Sequence, residues 1–102
     1  HVGGMFIHAD IFARFLSDRI GKDNVIFLSG TDCYGSPIME SYRKMQEEGY
    51  EGTLEDYVRI YHENQKKTLK NYGIRLDFFG ASALGEAGVI HKQVSAEVFH
   101  NL

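Results

Sequence analysis

The stretch Ser29–Pro37, which reads SGTDCYGSP, decides the fold of this chain. It follows the apolar run Val25–Leu28 and precedes a helical pattern, so it predicts a buried strand that ends in a tight loop and opens a helix. In an open α/β sheet, ligands bind at the carboxyl ends of the strands. Asp32 is the acid of that loop, and glycines on either side let the backbone turn sharply. Asp32 therefore either contacts a ligand or only caps the loop, as aspartate does in many turns.

The rest of the chain alternates between helical and strand-like patterns. Apolar residues spaced by three and four predict amphipathic helices over 5–20, 37–48, 54–72 and from 86 onward. A second strand is predicted over 74–79, and the continuous apolar run 25–28 is typical of a strand covered on both faces. Helix, strand, helices, strand, helix is the order of an α/β fold with parallel strands. Because two strands alone make a poor sheet, we expect further strands outside these residues.

Local residues predict where the helices begin and end. Gly21 is a plausible C-terminal stop for the first helix. Ser36 is the expected N-cap of the second helix, with Pro37 at its first position. Thr53 and Asp56 have the spacing of a capping box at the start of the third helix.

Composition narrows the classes of protein. The chain has 102 residues, 43% hydrophobic and 25% charged, which is typical of one small globular domain. Its net charge of −3 gives no overall basic field for nucleic acid. Cys33 is the single cysteine, so neither a disulfide framework nor a zinc site is expected in this segment, and His1 and His8 are too far apart to predict a metal site. No apolar run approaches the ~20 residues that span a bilayer, so we expect no membrane partner.

Several motifs resemble one family. His1–Gly4 (HVGG), at the head of a helix, resembles the His-x-Gly-His motif of class I aminoacyl-tRNA synthetases. Gly30–Ile38 is similar to the Gly-Thr-Asp-Glu-His-Gly-Thr-Pro-Ile stretch of the methionyl-tRNA synthetases. Ala9–Leu16 resembles the first catalytic helix of that family, and Gly73–Phe79 resembles its later Gly-Ile-x-x-Asp-x-Phe strand. The likeness extends over nearly the whole chain in the right order, which is more specific than any single motif.

The resemblance implies a fold and an activity. It predicts a Rossmann-like parallel sheet with flanking helices, the N-terminal half of a class I synthetase catalytic domain. Residues 1–102 would form a partial nucleotide- and amino-acid-binding domain of a longer cytoplasmic protein. The implied reaction uses ATP, with Mg²⁺, to activate methionine or a similar amino acid, which then passes to tRNA held by regions outside this segment.

The resemblance also implies roles for particular residues. His1 would be catalytic and contact the ATP phosphates, and Gly3 would let the adenine lie close to the backbone beside Gly4. Asp32 would pair with the α-amino group of the amino acid, since an ammonium is best held by a fixed carboxylate. Cys33 and Tyr34 would line the amino-acid site.

The chain departs from the family pattern in the same two motifs. Gly4 stands where the motif has its second histidine, and Cys33 and Tyr34 replace glutamate and histidine. The second ATP motif of the family, Lys-Met-Ser-Lys-Ser, does not occur in these residues. Two alternatives therefore stay open: a tRNA-independent nucleotidyl transferase, and a catalytically inactive paralog that still binds a nucleotide.

Overall fold

A computed structural model describes residues 2–102, with side-chain surroundings described from Gly4 onward. His1, the predicted catalytic residue, lies outside the described residues. A π-type turn (Val2–Phe6) leads into the first helix, and a short 3₁₀ turn (Lys22–Asn24) follows that helix. The helices and strands, in chain order, are α1 (Ile7–Ile20), β1 (Leu28–Thr31), α2 (Ser36–Glu47), α3 (Leu54–Asn71), β2 (Phe78–Ala81) and α4 (Gly85–His100).

Strands β1 and β2 pair in a parallel arrangement. The Asp77 N–H donates to the carbonyl oxygen of Phe27 at 2.7 Å, and the Ser82 N–H donates to that of Thr31 at 3.1 Å. A later residue of one strand segment bonds to a later residue of the other, so the two strands run in the same direction. Helices α2 and α3 lie in the connection between the strands. The predicted α/β fold with parallel strands is confirmed.

The positions of the strands differ from the prediction. The apolar runs 25–28 and 74–79 were expected to form them, but β1 and β2 begin only at Leu28 and Phe78. Backbone pairing continues instead into the glycine-containing segments. A Cβ atom on Gly30 would lie 3.0 Å from the carbonyl oxygen of Gly80, so the close approach of the strands here favours glycine, and a larger residue would force the backbone of Gly80 to shift. Apolar periodicity does not register such a contact, because it involves no side chain.

The described chain forms two compact units, and their boundaries fall within β1, α3 and β2. The first unit contains residues up to 29 together with 64–79. Within this unit, Asp10 of α1, which is 5% exposed, bonds to residues on α1 and before β2. The Asp10 carboxylate accepts hydrogen bonds from Arg14 Nε at 2.6 Å and from the Arg75 N–H at 2.8 Å. Arg14 also donates to the carbonyl oxygen of Gly73 at 2.6 Å, so helix α1 is tied to the segment that precedes β2.

The second unit contains residues 30–63 and 80–102. Its core is a cluster of buried residues from the loop after β1, from α3, from the end of β2 and from the turn before α4: Cys33, Tyr57, Val58, Ala81 and Leu84. The predicted capping box at the start of α3 is confirmed. Thr53 Oγ1 accepts a hydrogen bond from the Asp56 N–H at 3.1 Å, and Asp56 Oδ2 accepts one from the Thr53 N–H at 3.0 Å. Hydrogen bonds from the side chain and backbone of Thr53 lower the pKa of Asp56.

Three predictions about caps and burial have different outcomes. Gly21 is the C-cap of α1, as expected. The N-cap of α2 is Gly35 rather than Ser36, which is already helical, because the positive φ of Gly35 (126°) makes the turn itself. The apolar residues expected to be buried on α1 and in the run 25–28 are instead largely exposed, among them Ile11, Phe15, Ile26 and Leu28. The apolar residues of α4, including Ile90, Val94 and Val98, are also more than half exposed.

Candidate functional site

The loop between β1 and α2 presents Asp32 to solvent. Asp32 is exposed, and its Oδ1 atom accepts a hydrogen bond from the Tyr34 N–H at 3.1 Å. This short turn fixes the carboxylate at the carboxyl end of β1, where ligands of α/β sheets bind. One oxygen caps the loop while the charge stays accessible, so capping and ligand contact are compatible roles for Asp32.

Cys33 and Tyr34 lie on the wall of an apolar cavity beside this loop. Cys33 is buried, whereas Tyr34 is 58% exposed and stacks on the His91 ring of α4 with the centroids 5.9 Å apart. The cavity has a volume of about 380 Å³, and its other lining residues include Ile38, Met39, Leu54, Val58 and Leu84. Asp32 does not line it. Of the three predicted amino-acid-binding residues, Cys33 and Tyr34 therefore line one cavity, whereas Asp32 lies outside it, exposed on the loop.

Both sequence neighbours of Asp32 form hydrogen bonds with residues that were not predicted to belong to the site, His62 and Ser82. Thr31 Oγ1 lies 2.9 Å from Nδ1 of His62, which is 8% exposed on α3. The Cys33 N–H donates a hydrogen bond to Ser82 Oγ at 2.9 Å. The Ser82 N–H in turn donates to the carbonyl oxygen of Thr31. Ser82 directly follows β2 as Asp32 directly follows β1, so its position at a strand end was the sequence feature that could have identified it.

The predicted ATP-contacting glycines lie in the π-type turn before α1. Gly3 and Gly4 belong to the first unit, and Gly4 is exposed. The N-terminal end of a helix favours an anion, because the helix dipole places partial positive charge there. A role in binding ATP stays a prediction for both glycines, as does the catalytic role of His1.

Neither a cluster of metal ligands nor a membrane-spanning helix occurs in the part of the chain that the structure describes. No group of three or more histidine, cysteine, aspartate or glutamate side chains is arranged there to hold a metal ion. Among the same residues, no helix combines the length and the apolar character needed to cross a membrane.

Parallel strands joined through helices, with a polar loop at their carboxyl ends, define this chain as a Rossmann-like α/β protein. The model of one family, the tRNA synthetases class I (M), matches residues 1–102. The chain belongs to this family, which confirms the resemblance read from the four motifs.

Curated relatives agree with the family assignment. The chain is 36% identical to the methionine–tRNA ligase of Thermococcus onnurineus over 97% of its own length and 12% of the relative's. It is 32% identical to that of Roseiflexus sp. over its whole length and 15% of the relative's. It is 33% identical to that of Cytophaga hutchinsonii, again over its whole length and 13% of the relative's. The chain thus spans about an eighth of the length of the curated relatives it matches. No solved structure matches it significantly.

Proposed function

We propose that the full-length gene product uses ATP to activate methionine or a similar amino acid and transfers it to tRNA. The observation that carries this proposal is the exposed Asp32 carboxylate, fixed by its turn at the carboxyl end of β1 in a chain of the class I synthetase family. Residues 1–102 contribute to the nucleotide- and amino-acid-binding catalytic domain. The cytoplasm is the compartment proposed for this activity.

The chemistry assigned to the Asp32 loop is recognition of the amino acid. The Asp32 carboxylate pairs with the substrate ammonium, which orients the substrate carboxylate for attack on the α-phosphate of ATP; the bond to the β-phosphate breaks and pyrophosphate leaves. The cavity of about 380 Å³ lined by Cys33 and Tyr34 has mostly apolar walls, with Glu55 as its charged lining residue, and these walls suit an apolar side chain such as that of methionine. No protein nucleophile is required, because positioning and charge stabilisation carry the rate of this reaction.

The residues assigned to ATP fit an anionic ligand. Gly3 and Gly4 lie in the opening helical turn, where backbone N–H groups and the helix dipole attract phosphate, and His1 would add a charge-stabilising contact. ATP supplies the adenylyl group that activates the amino acid. Mg²⁺ would be held chiefly by the ATP phosphates, whose oxygens suit it as ligands.

One observation favours the alternatives. Gly4 occupies the position of the second motif histidine and offers no side-chain contact to ATP. A nucleotidyl transferase that needs no tRNA, or a paralog that binds a nucleotide without reacting, is compatible with this change.

Exchange of radiolabelled pyrophosphate into ATP distinguishes the proposals in the full-length gene product. The proposed function requires exchange that depends on methionine or a close analogue, followed by aminoacylation of tRNA. Exchange without subsequent aminoacylation supports a tRNA-independent enzyme. Nucleotide binding without any exchange supports the inactive paralog.

A further inference from the structure

The two residues that flank Asp32 are held by hydrogen bonds from elements far away in the sequence. Thr31 precedes Asp32, and its Oγ1 atom lies 2.9 Å from Nδ1 of His62 on α3. Cys33 follows Asp32, and its N–H donates to Ser82 Oγ at 2.9 Å. The loop is therefore fixed on both sides of the residue to which we assign the substrate ammonium.

Ser82 makes the larger contribution to this arrangement. Its N–H donates to the carbonyl oxygen of Thr31 at 3.1 Å, while its Oγ atom accepts the Cys33 N–H. One residue after β2 thus bonds to both neighbours of Asp32. Because Cys33 is only 7% exposed, its N–H has little access to water as a substitute partner. Losing Ser82 Oγ would leave a buried donor without this acceptor, and the loop would have to shift to hydrate it.

His62 holds the other side. It is 8% exposed, so the contact between its ring and Thr31 is shielded from competing water. Asp32 itself makes one hydrogen bond to the loop, at its Oδ1 atom. The direction of its carboxylate therefore depends on how firmly the backbone at 31 and 33 is held.

We propose that Ser82 and His62 are positioning residues that hold the Asp32 carboxylate in place for the α-ammonium group of the substrate. This inference rests on the proposed function and adds two residues to it. Neither side chain needs to touch the substrate. Both act by keeping the charged group in its binding orientation before the ligand arrives, which reduces the ordering cost of binding.

The test compares two ligands of the full-length gene product by calorimetry. One is methionine, and the other is 4-(methylthio)butanoate, which keeps the side chain and carboxylate but has no ammonium. Ser82→Ala should raise the dissociation constant of methionine about tenfold and leave that of the analogue within about twofold. Ser82→Thr, which keeps a hydroxyl, should restore methionine binding. Ser17→Ala is the matched control, because it removes a serine hydroxyl that bonds only within α1, to the Ala13 carbonyl oxygen.

A double substitution separates positioning from a general loss of structure. If Ser82 acts through Asp32, then Ser82→Ala should cause almost no further loss of methionine affinity in an Asp32→Asn protein. The inference would be overturned if the losses of methionine affinity caused by Ser82→Ala and Asp32→Asn add in full in the double variant. It would also be overturned if Ser82→Ala weakens the binding of methionine and of the analogue equally. Thr31→Val provides a second route if Ser82→Ala fails to fold, since it removes the bond to His62 and retains a β-branched side chain in the strand.

The outcomes also separate this inference from the function on which it rests. If the unsubstituted protein binds no methionine, the proposed function is wrong and the positioning role falls with it. If it binds methionine and the Ser82 and Thr31 variants bind equally well, only the positioning role is wrong.

Discussion

Replacing Asp32 with asparagine removes a charge and little else. The asparagine side-chain oxygen can still accept the Tyr34 N–H, now at 3.1 Å from Oδ1, so the turn should keep its shape. Truncating one partner of a buried charge pair costs roughly 2–5 kcal/mol. Because Asp32 is exposed, we expect the lower end of that range, about 2 kcal/mol, or about a thirtyfold rise in the dissociation constant of methionine.

Calorimetry of the full-length gene product measures this effect with methionine and ATP as separate ligands. ATP affinity should change less than twofold, since the residues assigned to ATP lie in the opening turn of the chain and not in the Asp32 loop. The methionine effect should shrink as salt rises, because an exposed ion pair is screened. Asp23→Asn is the matched control, an exposed aspartate in the 3₁₀ turn after α1. Equal methionine affinity in the Asp32→Asn protein and in the control would refute the assignment of Asp32 to the ammonium.

Five further predictions concern other parts of the chain. Gly4→His should raise methionine-dependent pyrophosphate exchange at least tenfold, as one preorganised contact is typically worth about 10²–10³ in rate; no gain in a folded variant would favour a pocket rebuilt for another ligand geometry. Thr53→Ala should speed amide exchange in the first turn of α3 about fivefold, the effect of losing a cap worth about 1 kcal/mol. Hydrogen bonds from Thr53 hold the pKa of Asp56 below its ordinary value of 3.8. The protection that Asp56 adds to this turn, measured against Asp56→Asn, should therefore be full well above that pH and weaken as the pH falls toward the folded-state pKa; protection that does not weaken at all between about pH 6 and pH 3 would contradict this. Asp10→Ala should speed exchange at the Arg75 amide about thirtyfold by removing its acceptor, whereas Asp23→Ala should not; equal exchange in both would show that the Asp10 bond is weak. The isolated 102-residue chain, which spans only 12–15% of its curated relatives, should show no exchange above a buffer control, and clear exchange would place a complete site within it.

Features that depend on neighbouring residues were predictable from the sequence. The order of helices and strands follows from apolar spacing, and the caps at Gly21 and Thr53 follow from local residue types. The loop around Asp32 was predictable for the same reason, because a strand pattern, glycines and a proline succeed one another within one short stretch. The family motifs lie in these same segments, so the family also could be identified before the fold was known.

The sequence by itself thus determined the elements of this protein, their order and the position of Asp32 at a strand end. Only the tertiary structure decided where the strands pair, because Gly30 and Gly80 meet through backbone atoms that apolar periodicity does not describe. It also decided that Ser82 and His62 hold the Asp32 loop, since these bonds join residues 49 and 31 positions apart. Contacts over such separations exist only after the crossover between β1 and β2 has brought the strand ends together, and no local pattern of residue types encodes that event.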